Sequence, residues 1–260
     1  MKIGGRSVET ILGAVTRSQH YRALLRMPRR LPTFPRPLFD YLLGTGTYPR
    51  TLPVRTPLGT IRPELHSHHD LLTVNEIFCR EDYACGAPLR TAVDIGANIG
   101  LAALWFLTRD RQARVYAFEP LPRNLERLAA NTAAFADRLT VNPVAVGLAD
   151  GPVTFGWEET GRYGGIGLAL KDRITVDCVE INAALRAILA ERGVIDVLKV
   201  DVEGLEIDLI RALAPDVRSK VRLIYAESDR RPDRMPGYRW SARAAGGGIH
   251  HLTLRPDGSA

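Results

Sequence analysis

Short apolar segments alternate with helical segments from residue 91 onwards, and this alternation limits the fold more than any other feature of the sequence. The apolar segments are hydrophobic at nearly every position, which is typical of strands that are buried on both faces. Parallel strands are joined by helical crossovers that cover both sides of the sheet. The sequence therefore predicts an α/β protein with a doubly wound (Rossmann-like), mostly parallel sheet.

The elements of this sheet can be assigned from the sequence. The predicted strands are TAVDIGA (91–97), ARVYAFEP (113–120), LTVNPVAVG (139–147), VLKVDVEG (197–204) and VRLIYAES (221–228), with PVTFGW (152–157) as a short edge strand. The predicted helices are NIGLAALWFLTRD (98–110), PRNLERLAANTAAFAD (122–137), DCVEINAALRAILAERG (177–193) and LEIDLIRALA (205–214). GYRWSARA and HHLTLRPD, separated by a glycine-rich segment, predict a terminal antiparallel hairpin at the edge of the sheet.

The N-terminal part of the chain has a different character. Residues 1–27 show a loose helical pattern, whereas residues 28–63 contain eight prolines, which argue against long helices and central strands. The segment DLLTVNEIFCREDY (70–83) has helical spacing of its apolar residues. We therefore predict a helical, Pro-rich, basic extension over residues 1–69 and the main domain over residues 70–260.

The net charge of +6 is unevenly distributed. Residues 1–62 contain eleven Lys or Arg and two acids, and residues 63–260 contain 24 and 27. A basic segment is compatible with nucleic acid, anionic lipid or an acidic partner. Because the cations are scattered and lack interleaved aromatic residues, we interpret the segment as a solvated surface and expect no nucleic-acid partner.

Several classes of protein are excluded by composition. No apolar run approaches the ~20 residues that span a bilayer, so no membrane span is predicted. No apolar segment follows the basic N-terminus as in a secretory signal. Cys79, Cys85 and Cys178 form neither an even disulfide framework nor a CxxC pair, which favours a reducing, cytoplasmic location.

The first predicted strand ends in a glycine turn, AVDIGANIG, that suits a cofactor. Gly96 permits a tight turn, and Gly100 allows the following helix to approach the strand. Asn98 replaces the second glycine of a dinucleotide fingerprint. The carboxylate of Asp94 would repel a pyrophosphate but attract an ammonium or sulfonium group. These features favour S-adenosylmethionine, which carries both positive groups and no phosphate.

Glu119 ends the second predicted strand, about twenty residues after the turn, where it can accept hydrogen bonds from ribose hydroxyls. NAD would use such an acid as well, so Glu119 alone does not separate the two cofactors.

Together these segments resemble the FkbM-type S-adenosylmethionine-dependent methyltransferases. VDIGANIG, AFEPLPRNLERLAAN, NPVAVG, ITVDCVE, DVLKVDVEGLEIDLI and LIYAE occur in the order and approximate spacing of that family, over roughly residues 70–230. The resemblance implies a class I methyltransferase sheet and methyl transfer, most often to oxygen on sugars or other natural products. The chain between the fifth strand and the hairpin is shorter than is usual in the family, which leaves the acceptor wall undefined.

The resemblance also implies roles for individual residues. The methionine part of the cofactor would be lined by Asp94, Gly96, Ala97, Asn98 and Gly100. Glu119 would bind the ribose, Asn124 belongs to the same matched motif, and Ala145 would lie near the adenine. Glu76 and Tyr83, matched to the family's first helix, would line the acceptor site.

Charged residues in KVDVEG are the candidates for catalysis. Period-two alternation predicts Lys199, Asp201 and Glu203 on one side of the strand. Asp201 or Glu203 could accept the proton of an acceptor hydroxyl, and Lys199 would hold the carboxylates ionised. The alternative is structural: a carboxylate that caps the helix LEIDLIRALA.

Other polar residues are compatible with a metal or with acceptor binding. Asp201 and Glu227 end adjacent predicted strands, where hard oxygen ligands suit Mg²⁺, although no metal is required. The cluster HSHHD (66–70) is compatible with a transition metal or a base, or with a loop that enters a helix with Asp70 as its N-cap. Glu227, Trp157 and Tyr163 would contact the acceptor, with plain edge packing as the alternative for the two aromatics.

The leading hypothesis is an S-adenosylmethionine-dependent O-methyltransferase acting on a small molecule in natural-product biosynthesis. N-methylation of an amino sugar and carboxyl methylation of a peptide stay open, because the same carboxylates would serve. The chain lacks a Pro-Cys pair and an Asn/Asp-Pro-Pro-aromatic motif, which argues against a nucleic-acid methyltransferase. A non-catalytic cofactor-binding protein would bind without turnover. The expected partner is a small-molecule acceptor, and a homo-oligomer stays open.

Overall fold

The computed structural model describes residues 2–3, 6–7, 18–85, 88–158, 164–228, 238–242 and 249–254. The chain divides into two compact units, Met1–Ala84 and Cys85–Ala260. The segment 70–83 therefore packs with the first unit. The functional division at residues 69 and 70 stays a prediction.

The first unit consists of helices and short two-stranded ladders. Its strands are β1 (Lys2–Ile3), β2 (Arg6–Ser7), β3 (Arg50–Thr51), β4 (Val54–Thr56), β5 (Gly59–Ile61) and β6 (Glu64–Leu65), paired β1–β2, β3–β6 and β4–β5. Its helices are α1 (Ser18–Arg30), α2 (Arg36–Leu43) and α3 (His68–Val74), which a π-helical turn extends over Asn75–Arg80. The Pro-rich segment is thus more helical than predicted. Pro37 lies in the first turn of α2, where the missing N–H has no partner to lose, and Pro28 lies within α1.

The predicted helix at 70–83 is present, but its start differs from the prediction. Ser67, not Asp70, is the N-cap of α3, and Ser67 Oγ accepts a hydrogen bond from the Asp70 N–H at 3.2 Å. Asp70 Oδ2 in return accepts from the N–H groups of His66 and Ser67, at 2.6 and 3.0 Å. HSHHD therefore forms a capping box at the start of a helix.

The second unit contains two sheets. Its strands are β7 (Thr91–Ile95), β8 (Arg114–Phe118), β9 (Leu139–Asn142), β10 (Ala145–Gly147), β11 (Gly151–Trp157), β12 (Gly164–Ile166), β13 (Asp172–Glu180), β14 (Val197–Val200), β15 (Leu223–Glu227), β16 (Tyr238–Ala242) and β17 (Ile249–Leu254). The larger sheet has seven strands in the order β16-β17-β15-β14-β7-β8-β9. Strands β15, β14, β7, β8 and β9 are parallel, and β17 runs antiparallel to β15 and β16. The mostly parallel sheet and its terminal hairpin are confirmed.

The smaller sheet, of order β10-β13-β11-β12, was not predicted. The segment predicted as one strand over 139–147 divides at Pro143, and its two halves enter different sheets. PVTFGW is not an edge strand of the main sheet but pairs with β12 and β13. The predicted helix at 177–193 begins only at Ile181, because residues 172–180 form β13.

Helices cover both faces of the main sheet. They are α4 (Leu101–Leu107), α5 (Pro122–Thr132), followed by a 3₁₀ turn over Ala133–Arg138, α6 (Ile181–Arg192), α7 (Glu206–Arg211) and α8 (Pro215–Arg218). Val93 and Ile95 share a core with Leu185 of α6, whereas Ala117 packs against Leu128 of α5. The sheet is therefore doubly wound, as predicted.

The direction of winding reverses at β7, which lies between β8 and β14. In open α/β sheets the crevice at such a switch point, beyond the carboxyl ends of the strands, is where ligands bind. The structure directs attention to the loops that follow β7, β8 and β14.

Two further predictions can be compared with the described part of the chain. None of its helices is long and apolar enough to cross a membrane. The three cysteines are free thiols, and Cys79 and Cys178 are buried.

Candidate active site

The turn after β7 is held close to the neighbouring loop by a glycine. Gly96 has φ of 77°, and a Cβ placed there would lie 1.8 Å from the carbonyl oxygen of Asp201. The N–H groups of Gly96 and Ala97 both donate to the carbonyl oxygen of Phe118, at 3.0 Å. Asn98 continues the turn with φ of 49°. The loops after β7, β8 and β14 therefore meet at this turn.

Gly100 has a packing role, but its close neighbours lie on a helix and not on the strand that the sequence predicted. Its φ is 85°, and an added Cβ would contact side chains of Thr132 and Leu128 on α5, at 3.1 and 3.2 Å. The glycine lets the start of α4 lie against α5.

Glu119 is buried beside the same turn. Glu119 Oε2 accepts from the N–H of Asn98 at 2.9 Å, and Oε1 accepts from the N–H of Leu121 at 3.0 Å and from Asn124 Nδ2 at 3.3 Å. Burial raises the pKa of Glu119 to about 7, although these hydrogen bonds oppose the shift. A carboxylate has about four acceptor positions, so roughly one stays open for a ligand.

Lys199 and Asp94 form a buried ion pair on the other side of the turn. They are partners in the parallel register of β14 and β7. Lys199 Nζ lies 2.9 Å from Asp94 Oδ1, 2.9 Å from the carbonyl oxygen of Gly96 and 3.2 Å from Asp201 Oδ2. Burial opposes the charge of Lys199, but attraction to Asp94, Asp201 and Glu227 outweighs it and raises the pKa of Lys199. One ammonium group thus faces three carboxyl groups.

Asp94 itself has no exposed surface. Burial raises the pKa of Asp94, and the ammonium of Lys199 opposes that shift. The Asp94 carboxylate is buried and paired with Lys199. Asp94 would therefore affect a ligand through the combined charge of Lys199 and its carboxyl partners and not by direct contact.

The loop after β14 departs from the predicted alternation. Strand β14 ends at Val200, and Glu203 has φ of 50°, so Glu203 does not continue the row formed by Lys199 and Asp201. Glu206 Oε1 accepts the N–H of Gly204 at 2.9 Å, and the N-cap of α7 makes no side-chain hydrogen bond. The carboxylate that accepts a backbone N–H at the start of α7 is therefore that of Glu206, a residue that the sequence analysis missed.

Glu227 ends β15, the neighbour of β14. The register pairs Val200 with Ala226, so Asp201 and Glu227 follow at adjacent positions. Among the described residues, no group of three or more His, Cys, Asp or Glu side chains is arranged to hold a metal ion.

Of the remaining predicted residues of this unit, Asn124 lies on α5, and Ala145 and Trp157 lie in the smaller sheet. Asn124 is buried and bonded to Glu119. Ala145 is buried in β10 and shares a cluster with Phe155, against which Trp157 packs. Trp157 pairs with Gly164 across β11 and β12. Tyr163 lies outside the described residues.

Glu76 and Tyr83 belong to the first unit. Glu76 Oε1 lies 3.6 Å from Arg80 Nη2 on the π-helical turn, and Tyr83 is buried. Their predicted role at the acceptor site stays a prediction.

A second close approach was not foreseen. A Cβ at Gly165 of β12 would lie 3.1 Å from the carbonyl oxygen of Glu203. The smaller sheet therefore reaches the loop that carries Asp201. The glycine pair in RYGGIG was the only signal in the sequence.

A doubly wound sheet with an acidic glycine turn at its switch point defines an α/β protein that binds a small ligand at the carboxyl ends of its strands. The chain belongs to the FkbM methyltransferase family, because residues 94–245 match the model of the Methyltransferase FkbM domain. The resemblance predicted from the motifs is thereby confirmed.

Individual relatives were found as well. The AMB antimetabolite synthetase AmbE of Pseudomonas aeruginosa is 29% identical over 191 residues, which are 59% of this chain and 9% of that protein. The hexuronic acid methyltransferase AglP of Haloferax volcanii is 30% identical over 133 residues, 48% of this chain and 51% of that protein. A crystal structure of an FkbM methyltransferase from Methylobacillus flagellatus superposes with a TM-score of 0.48 at 14% identity, covering 72% of this chain and 54% of that one. The chain thus spans about half or less of the curated relatives it matches.

Proposed function

We propose that this methyltransferase uses S-adenosylmethionine and methylates a hydroxyl group of a small molecule, such as a sugar or another natural product. The observation that carries the proposal is the charge beside the glycine turn. Among the residues that the structure describes, Lys199 is the one ammonium beside Asp94, Asp201 and Glu227, so carboxyl groups outnumber it there. Such a site favours a cationic ligand and disfavours a pyrophosphate.

The residues present fit the proposed cofactor. The turn at Gly96–Asn98 is held against the loops after β8 and β14, which places its backbone beside both Glu119 and Lys199. Glu119 keeps roughly one acceptor position for a ribose hydroxyl. When bound, S-adenosylmethionine supplies an electrophilic methyl group on a positively charged sulfur.

Asp201 is the proposed proton acceptor. Its carboxylate is partly exposed and is held 3.2 Å from Lys199 Nζ, so it is both accessible and fixed. As the acceptor oxygen forms its bond to the methyl carbon and the carbon–sulfur bond breaks, the hydroxyl proton passes to Asp201. Glu203 is a weaker candidate because its left-handed backbone, with φ of 50°, takes it out of the row formed by Lys199 and Asp201.

The class of acceptor is supported by the names of the relatives. One is a hexuronic acid methyltransferase and the other an antimetabolite synthetase. Both point to sugars and natural products, and a hydroxyl is the commonest nucleophile on such molecules.

The test is turnover with radiolabelled S-adenosylmethionine across a panel of hydroxylated sugars and natural products. We expect Asp201→Asn to lower kcat by about 10²-fold or more while binding S-adenosylhomocysteine normally in calorimetry. Asp208→Asn, a carboxylate on the exposed side of α7, is the matched control and should keep both properties. Full activity of Asp201→Asn would remove Asp201 from the mechanism, and binding of NAD in place of S-adenosylhomocysteine would overturn the cofactor.

A further inference from the structure

The first unit carries most of the exposed large apolar side chains in the described part of the chain. Eight such residues are exposed, and six of them fall between residues 24 and 43. These six are Leu24, Leu25, Phe34, Phe39, Leu42 and Leu43, exposed by 37% to 70%. Single exposed apolar residues are normal, whereas such a concentration marks an interaction surface. We call these six side chains the apolar face.

Helix α2 has an apolar side that is exposed and a carboxylate that is buried, the reverse of the usual amphipathic arrangement. Phe39, Leu42 and Leu43 follow the i, i+3, i+4 spacing of one helix side and are exposed. Asp40 is only 2% exposed, and its carboxylate accepts hydrogen bonds from the side chains of Arg50, Arg36 and Thr45. Helix α2 therefore buries its carboxylate and directs three large apolar side chains outward, as a helix with a partner on that side would.

Helix α1 continues the pattern. Ala23 and Met27 are buried, one turn apart, and point into the first unit. The exposed side of the same helix carries Leu24 and Leu25 and then Arg29. The six side chains of the apolar face are therefore carried by two consecutive helices and the turn between them.

The charge around the apolar face is positive. Residues 18–63 contain eight arginines and a single acid, the buried Asp40. Arg55 Nη1 lies 3.4 Å from the carbonyl oxygen of Arg29, which places the exposed guanidinium of Arg55 at the end of α1. Bonds to backbone carbonyls leave the charge of a guanidinium intact. Arg26 and Arg30 differ, because both pair with Glu81, at 2.9 and 2.7 Å.

We propose that the apolar face docks the protein on an anionic lipid bilayer. The leucine and phenylalanine side chains would enter the interface, and Arg29 and Arg55 would bind lipid phosphates. Apolar side chains beside arginines, on helices too short to span, are the composition of interfacial helices. The bilayer is favoured over a second copy of the chain, because a two-fold contact would bring arginine-rich surfaces together. The inference does not depend on the reaction proposed above.

Co-sedimentation of the full chain with vesicles tests this proposal. We expect binding to vesicles of phosphatidylcholine mixed with phosphatidylglycerol, weakening as salt is added, and little binding to phosphatidylcholine alone. Leu43→Ser should lower the partition coefficient by about tenfold. The matched control is Leu148→Ser in the second unit, because Leu148 is 51% exposed and Leu43 is 50% exposed. Arg29→Gln/Arg55→Gln should reduce binding and its salt dependence.

Circular dichroism and thermal unfolding establish that each variant is folded. The proposal is wrong if the wild-type chain ignores anionic vesicles, or if Leu148→Ser reduces binding as much as Leu43→Ser. It is also wrong if light scattering shows a dimer that Leu43→Ser dissociates while vesicles have no effect, since the apolar face would then bind a second copy.

Discussion

Two influences on the Glu119 carboxyl group oppose each other in the free protein: burial favours its protonated form, and hydrogen bonds favour its ionised form. Glu119 accepts hydrogen bonds from backbone groups on both neighbouring loops, yet it is almost completely buried, and burial raises its pKa to about 7. The residue therefore changes protonation near neutral pH. A ligand that donates hydrogen bonds to Glu119 will favour its ionised form.

This shift gives a prediction for stability. From pH 4.5 to about 7 the unfolded chain has lost the proton of Glu119 and the folded chain keeps it, so this group makes the free energy of unfolding fall as the pH rises. Glu119→Gln removes the dependence. We expect the variant to gain about 3 kcal/mol relative to wild type between pH 4.5 and about pH 8, measured by urea unfolding.

Glu180→Gln is the control of opposite sign. Burial of Glu180 is outweighed by hydrogen bonds from Asn182 and Ala183, which lower its pKa. The stabilising effect of Glu180 is therefore present above its unfolded pKa and is lost in acid, so the variant should lose stability relative to wild type as the pH rises. The raised pKa of Glu119 would be refuted if the difference in free energy of unfolding between Glu119→Gln and wild type did not change with pH.

The pairing of Asp94 with Lys199 could not be predicted from the sequence. The two are separated by more than a hundred positions, and only the register of β7 and β14 makes them partners. Asp201 was predicted at the edge of the sheet because it directly follows an apolar strand. Glu203 was misplaced because alternation was extended past the end of β14.

At the scale of elements, the absence of a side chain at Gly96 allows the turn after β7 to pack directly against the loop after β14. Gly96 and Gly193 have nearly the same φ, 77° and 74°, but only Gly96 faces a neighbouring backbone. The strain of a left-handed backbone is common to both positions. The contact with the Asp201 carbonyl is specific to Gly96.

Gly96→Ala and Gly193→Ala separate these two effects. Both should lose about 1 kcal/mol from the positive φ, and Gly96→Ala should lose several kcal/mol in all, because its Cβ must displace the loop after β14. S-adenosylhomocysteine binding should fall at least about tenfold in Gly96→Ala and stay unchanged in Gly193→Ala. Thermal unfolding and calorimetry measure both. Equal losses in the two variants would mean that the close approach has no consequence.

The elements that were predicted correctly are those with an unambiguous pattern. β7, β8, β14 and β15 are continuous apolar runs, which are buried on both faces. β13 was partly read as helix because its end merges with α6, although the inward alternation of residues 174, 176 and 178 was visible. Pro143 was a signal for the break that sends β10 into the smaller sheet, because proline cannot donate to a ladder.

For the whole molecule, the division of the chain into two units separates two kinds of surface. The second unit contains the glycine turn and its acidic cluster, and the first contains the apolar face and the arginines. The first unit, with 12 Lys or Arg and 7 Asp or Glu, carries most of the net charge of +6, and the second, with 23 and 22, is close to neutral.

Hydrogen exchange should report this division. On addition of S-adenosylhomocysteine we expect amides of residues 96–100 and 119–121 to gain protection, because ligand binding lowers the population of open states. Helices α1 and α2 should exchange at their original rates. NAD at the same concentration serves as the control and should protect neither region. Protection confined to residues 18–84 would place the ligand in the wrong unit.

Two glycines from different elements approach the loop of residues 201–204 closely. Gly96, after β7, lies against the carbonyl of Asp201, and Gly165, in β12, lies against the carbonyl of Glu203. The glycine-rich strand β12 is therefore coupled to this loop by packing. Any side chain introduced at Gly165 would press on the same loop that carries the proposed proton acceptor. We therefore expect substitutions at Gly165 to displace residues 201–204, and libraries that diversify β12 should vary these residues at the same time.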